Sequence, residues 1–265
     1  MSHPHGSCPH QQPPRAPSPI LTVEQGAELQ SKVDRLEDAV RTLKARRGED
    51  DLVADVEIYE KTGKWPLEFP EDFMNMQDVA YTLTVLDRGM ERARLLWNGQ
   101  APWTEQKGRK IYGMYSALDG PVQPYGVNVP DSYDGSKLVR LYVWLHGRNA
   151  GLSEGNFIYT FTGAPPSQAS TMNSANVGQI QLDVYGRWTN GYNWASEVDV
   201  AEAIAAVKRA LSGVITEPRP IDDQGRLPVG RNPRLHGFHY LAIQQAIVGS
   251  RESAASLQSV GRARR

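Results

Sequence analysis

The chain of 265 residues has a single cysteine, Cys8, so no disulfide can form within it and a small disulfide-stapled scaffold is excluded. It has no apolar run approaching the roughly 18 residues that a membrane-spanning helix needs. An excess of either charge is missing too. With 29 Lys and Arg against 30 Asp and Glu, the formal charge of −1 sets up no bulk field for nucleic acid or anionic membrane, so neither is expected as a partner. The first 19 residues hold no apolar core and no A-x-A-like site, unlike a secretory leader, which makes the cytoplasm the default location for the chain as written.

What is present suits a folded protein. Apolar residues make up 40% and charged residues 22%, and the length suffices to bury a core. Residues 1–19 are the exception: with Pro at 4, 9, 13, 14, 17 and 19 and almost no large apolar side chains, they are expected to form a disordered tail. His3, His5, Cys8 and His10 match no closed zinc site, and no metal or cofactor is expected.

From Thr22 the period turns helical. Thr22 and Gln25 have the spacing of a capping box. Leu29, Val33, Leu36, Val40 and Leu43 then form a heptad seam of about two repeats. Two repeats favour a helix packed on its own protein over a free coiled coil, although helix 22–47 is also the candidate surface for homo-oligomers. A second helix is expected over 50–62, closed by Gly63, with LEFPEDF as a loop. A third is expected over 75–98, capped by Asn75, ended by Gly99, and apolar along Val79, Leu83, Leu86 and Met90. Residues 20–100 thus read as a helical module without a catalytic constellation.

Past the Pro102-Trp103 loop the period becomes two. Lys107–Ala117 and Val122–Val129 read as a hairpin around Leu118-Asp119-Gly120-Pro121. Val139–Leu145 is a continuous apolar run typical of a strand covered on both faces, and Gln179–Tyr185 is a second core strand. Ser196–Leu211 is an amphipathic helix with Val200, Ile204 and Val207 on one face and Ser196 as its expected cap.

PYGVNVPDSYDGSK and VRLYVWLHGRN, followed by IQLDVYGRWTNGYNWASEVDVAEAIAAVKR, resemble the opening part of an α/β-hydrolase domain. The narrower resemblance is to bacterial serine hydrolases of the esterase and prolyl-oligopeptidase-like group, over about residues 107–209. It implies an α/β fold: a truncated hydrolase-like sheet in residues 101–211, preceded by the helical module. It also implies acyl transfer to water from a small ester, peptide or sugar ester. Such chemistry places negative charge on a carbonyl oxygen, and fixed backbone N–H donors stabilise it. In this fold one donor comes from the loop after the core strand, so His146, Gly147, Arg148 and Asn149 are the oxyanion-loop candidates, with His146 shaping the loop.

Loops at strand carboxyl ends face the ligand crevice of such sheets. Asp183, Arg187, Trp188, Asn190, Tyr192 and Trp194 are therefore candidates to line a pocket, with Asn193 in the same loop. Asp183 and Arg187 are placed to pair across the strand end. Packed anchors of a surface loop are the competing account of the aromatics. Glu197, Asp199 and Glu202 read as acids that complement the start of a helix.

A serine nucleophile in this fold stands on a G-x-S-x-G elbow, followed by an Asp or Glu and then a His. Past the second core strand, where the elbow belongs, there is none. Ser212 follows Leu211, Ser250 precedes Arg251, and no serine-bearing strand precedes His236 and His239. No catalytic residue is identifiable. Residues 210–265 hold eight Arg and no Lys or Trp, which fits either a reading-frame change near Lys208–Ala210 or a genuine basic tail over 212–265. The expectation is an inactive relative of a serine hydrolase. The alternative is a non-catalytic binding protein that uses the seam 29–43 and the aromatic loop 188–194.

Overall fold

The computed structural model describes residues 20–147, 152–162, 179–211 and, by backbone alone, 214–215. The histidines and cysteine of the first 19 residues, Arg148, Asn149, and nearly all of the tail over 212–265 lie outside the described residues.

Three helices come first. α1 (Val23–Arg47) begins at Thr22, whose hydroxyl accepts the Gln25 amide at 3.1 Å while Gln25 Oε1 accepts the Thr22 amide at 3.1 Å. The seam from Leu29 to Leu43 is 0–5% exposed because α1 packs on the next two helices of its own chain. α2 (Asp51–Glu68) is capped by Asp50, which accepts the Val53 amide at 2.8 Å.

The expected stop at Gly63 is wrong, for α2 runs on through Gly63 and Pro66. A side chain at Gly63 would stand 2.7 Å from Leu86 and from Val33, so this glycine is where the three helices close on one another. Burial against two neighbours outweighs the local stop signals there. α3 (Met76–Trp97) has the expected Asn75 cap. It ends in a Schellman turn: Gly99 at φ 75° donates to the Leu96 carbonyl at 2.9 Å, and Gln100 donates to that of Leu95 at 2.9 Å.

The rest is a mixed sheet with helices. β1 (Gly108–Tyr115) and β2 (Val122–Val129) form the expected hairpin, in register from Gly108 opposite Val129 to Tyr115 opposite Val122. β3 (Val139–Leu145), α4 (Glu154–Thr162), β4 (Ile180–Val184), α5 (Ala195–Ala210) and the two-residue β5 (Val214–Ile215) follow. The strand order is β1-β2-β4-β3-β5. β2 is antiparallel to β1 and β4, whereas β3 is parallel to β4 and to β5. The class is α/β, with an N-terminal helical region.

The helices are tied to the sheet. The Asp55 carboxylate on α2 accepts the Gly113 amide of β1 at 2.7 Å and the Trp103 indole N–H at 2.8 Å. Arg92 of α3 donates to the Ile111 carbonyl at 2.9 Å. A Cβ on Gly113 would run into the Ala54 carbonyl, so helix and strand backbones touch. One apolar core extends from Leu29 through the sheet to Leu211. No described helix is long and apolar enough to cross a membrane.

Candidate functional site

β3 and β4 are parallel, so their carboxyl ends open at the same edge of the sheet, and the segments after them meet there. The His146 amide donates to the Tyr192 hydroxyl at 3.0 Å, and that hydroxyl donates to the Val184 carbonyl at 2.8 Å. The His146 ring faces the Tyr185 carbonyl through Nε2 at 2.8 Å and the Gly147 carbonyl through Nδ1 at 3.0 Å. Its centroid is 5.1 Å from that of Tyr192. A neutral imidazole has one N–H and can donate to only one of these carbonyls. Burial pushes the Tyr192 phenol far up, which keeps it a neutral donor. His146 and Tyr192 therefore lock the end of β3 to the end of β4. The His146 amide is spent on that lock; of the other oxyanion candidates only Gly147 is described.

The loop after β4 carries a run of left-handed backbone: Gly186, Arg187, Trp188, Gly191, Tyr192 and Trp194 all have φ between 54° and 79°. Four of the six are not glycine, and such residues persist only where their surroundings over-determine them. Arg187 supplies most of that restraint. Its guanidinium grips Asp199 through Nε at 2.9 Å and Nη2 at 3.0 Å, binds both oxygens of Asp119, and donates to Ser116 Oγ at 3.1 Å. These bonds hold the Arg187 guanidinium above its usual range. Asn190 accepts the Tyr192 amide at 2.9 Å and donates to Ser196 Oγ, which donates to the Gly186 carbonyl at 2.7 Å.

The expected helix cap is thereby corrected. Trp194 occupies the N-cap position without a side-chain cap, and the Ser196 hydroxyl is drawn back to the loop. On this rigid frame Tyr192 is buried, while Trp188 is 51% and Trp194 82% exposed.

The expected pairing of Asp183 with Arg187 does not form. Asp183 points from β4 onto the sheet face that also carries Gln181, whose amide donates to its two oxygens at 3.1 and 2.9 Å. Arg187, past the strand end, turns instead toward α5 and the β1–β2 turn. Burial pushes the Asp183 carboxyl up to about 6, against the Gln181 bonds and the charge of Arg109. The Arg109 guanidinium lies over the Phe161 ring at 4.3 Å, and its Nε and Nη1 are buried without a hydrogen-bond partner. Burial lowers its pKa. Of the acids read as helix-start residues, Asp199 serves Arg187, and Glu202 accepts the Ala117 amide at 2.9 Å.

One literal G-x-S-x-G does occur in the chain, before the second core strand: Gly151-Leu152-Ser153-Glu154-Gly155. Its spacing alone was enough to flag it. Ser153 stands between β3 and α4, the strand-to-helix order of an elbow, yet several residues past Leu145, the last residue of β3. Its hydroxyl accepts the Asn156 amide at 3.1 Å, the geometry of a helix cap. His146 is the one described histidine, and its ring is aimed at two carbonyls. No serine–base pair is assembled among the described residues, and no three His, Cys, Asp or Glu side chains there converge as a metal site.

No family model, curated protein or solved structure matches this chain.

Proposed function

We propose that this chain carries the oxyanion side of an α/β-hydrolase-type site, as the sequence resemblance implies, and does not itself hydrolyse esters or peptides. An antiparallel hairpin, parallel core strands, a helix between β3 and β4, and His146-Gly147 at the end of β3 are what an acyl-transfer fold requires on that side. The observation that carries the inactive half of the proposal is the engagement of both candidate groups: Ser153 Oγ caps α4, and the His146 ring spans two backbone carbonyls.

The test is hydrolysis of p-nitrophenyl esters of graded acyl length by the purified chain. No turnover above buffer supports the proposal. Turnover that a serine-directed fluorophosphonate abolishes overturns it. The encoding DNA past Val207 tests the family assignment separately. A G-F-S-M-G-like elbow in another frame supports an interrupted hydrolase, and closed frames argue against one.

A second reading, a non-catalytic binder, is favoured by the exposure of Trp188 and Trp194 on a restrained backbone. It rests on this loop, because the seam 29–43 is already covered by α2 and α3. A carbohydrate or peptide that stacks on these rings would quench tryptophan fluorescence, and Trp188→Ala with Trp194→Ala would abolish the response.

A further inference from the structure

At the edge of the sheet opposite the carboxyl ends of β3 and β4, a cavity of about 230 Å³ opens beside the start of β1 and the end of β2. Thr104 and Glu105 before β1, Tyr133 and Asp134 after β2, and Leu211 after α5 help to wall it, and Lys107 and Lys110 give it two cationic groups. Lys110 is 3% exposed and poorly satisfied. An ammonium has three donors. Yet Lys110 Nζ reaches only the Thr104 carbonyl, at a long 3.4 Å, and the Tyr112 ring, at 5.5 Å. Lys107 Nζ donates to the Tyr133 carbonyl and lies 4.8 Å from the centre of that ring. Among the described residues neither lysine has a carboxylate partner. Asp134 is turned to Ser136, accepting its amide at 2.8 Å and its hydroxyl at 2.6 Å, and Glu105 is exposed. A buried amine with no ion pair and a second cation beside it is the arrangement that makes lysine a nucleophile, because both effects disfavour the protonated form.

We propose that Lys110 is a reactive amine that holds a small aldehyde bearing a carboxylate, as an imine in this cavity with the carboxylate toward Lys107. The nitrogen lone pair adds to the carbonyl carbon, and the proton that the nitrogen gives up ends on the former carbonyl oxygen. The nitrogen then expels that oxygen as water and forms the C=N bond. Amine and aldehyde become imine and water, with no oxidant or reductant. Burial, then the charge of Lys107, lower the Lys110 amine from 10.5 to about 8, against the upward pull of Asp55 on α2. At pH 7 about one such amine in ten is neutral, against about one in three thousand for an ordinary lysine. The unpaired ammonium of Lys107 selects the carboxylate. This site shares no residue with the oxyanion side and stands independently of it.

The experiment treats the full chain at pH 7 with glyoxylate and cyanoborohydride, which reduces an imine to a stable carboxymethyl amine, and maps the modified peptides. Lys110 is expected to react on the order of tenfold faster than the exposed Lys137. Its rate is expected to inflect near pH 8. Mapping separates it from the amino terminus, which also titrates at about 8. The preference for Lys110 is expected to be larger with glyoxylate than with the uncharged propanal, and to vanish in urea. Lys110→Arg is expected to lose the adduct, and Lys107→Gln to move the inflection upward. Folded wild type in which Lys110 reacts no faster than Lys137 overturns the proposal, as does a preference that persists unchanged in urea. Equal preference with both aldehydes overturns the carboxylate as the recognised group.

Discussion

The β1–β2–β4 side of the sheet and the β3 side differ in how completely the chain covers them. On the first, α2 and α4 pack on the hairpin, Asp55 bonds two elements at once, and Leu36, Ile58, Leu86 and Ile111 are wholly buried. On the second, Tyr142, Val143, Trp144 and Leu145 of an equally apolar strand are only half-buried, and Trp188 and Trp194, after β4, stand in solvent. Hydrophobic pattern states what a strand needs, and the rest of the fold decides whether it receives it. The polar groups follow the same division. The Asp55 carboxylate builds the interface of helices and sheet, whereas His146, Tyr192 and Arg187 spend their bonds on holding two strand ends and one strained loop in place.

That contrast orders the effects of substitution. Leu36→Ala opens a cavity among three helices and is expected to cost about 3–5 kcal/mol in urea unfolding. A cost near zero would mean that the helical region unfolds independently of the sheet. Asp55→Ala strands the buried Gly113 and Trp103 N–H groups and is expected to cost about 2–4 kcal/mol.

Asp55 also predicts a pH dependence. Burial pushes its carboxyl up to about 7, although Arg92 and the two N–H donors draw it down; the ordinary value is 3.8. The folded chain therefore holds this proton more tightly than the unfolded one. The contribution favours folding below about pH 4 and is lost as the pH rises to about 7, by at most about 1.4 kcal/mol per unit. Asp183, raised to about 6, contributes with the same sign. Urea midpoints at pH 5 and pH 7.5 should differ in wild type and differ less in Asp55→Asn; midpoints that rise with pH by the same amount in both proteins would remove Asp55 from the account.

The β3 side should respond more weakly. Arg187→Ala leaves Asp199 buried without its partner and frees the loop, at an expected cost of about 2 kcal/mol and with altered tryptophan emission. Trp194→Ala removes a ring that is 82% exposed, and its unfolding midpoint should stay within about 0.5 kcal/mol of wild type. A larger loss would show that the ring is covered in solution, by a second copy or a ligand.

Much of this architecture was legible in the sequence, for local reasons. Thr22, Asn75 and Gly99 satisfy helix ends with groups close in the chain, and the hairpin follows from alternation around one turn. The failures share a different cause. Gly63 and Pro66 stay helical because α1 and α3 press on α2, and no local signal carries that. Arg187 leaves Asp183 for Asp199 and Asp119, which are distant in sequence and depend on where α5 and the β1–β2 turn settle. Ser196 gives up its capping role because a left-handed loop brings the Gly186 carbonyl within its reach. At the candidate site, the sequence placed His146-Gly147 at a strand end. That the His146 amide is taken by Tyr192 depends on a loop some forty residues later.

The proposed oxyanion side of a hydrolase-like site, without a working nucleophile, is tested most directly by the intact mass of the folded chain after incubation with excess fluorophosphonate. The account predicts an unmodified mass, with Ser153 retained as a helix cap. A stoichiometric phosphonyl adduct on a single serine would contradict it.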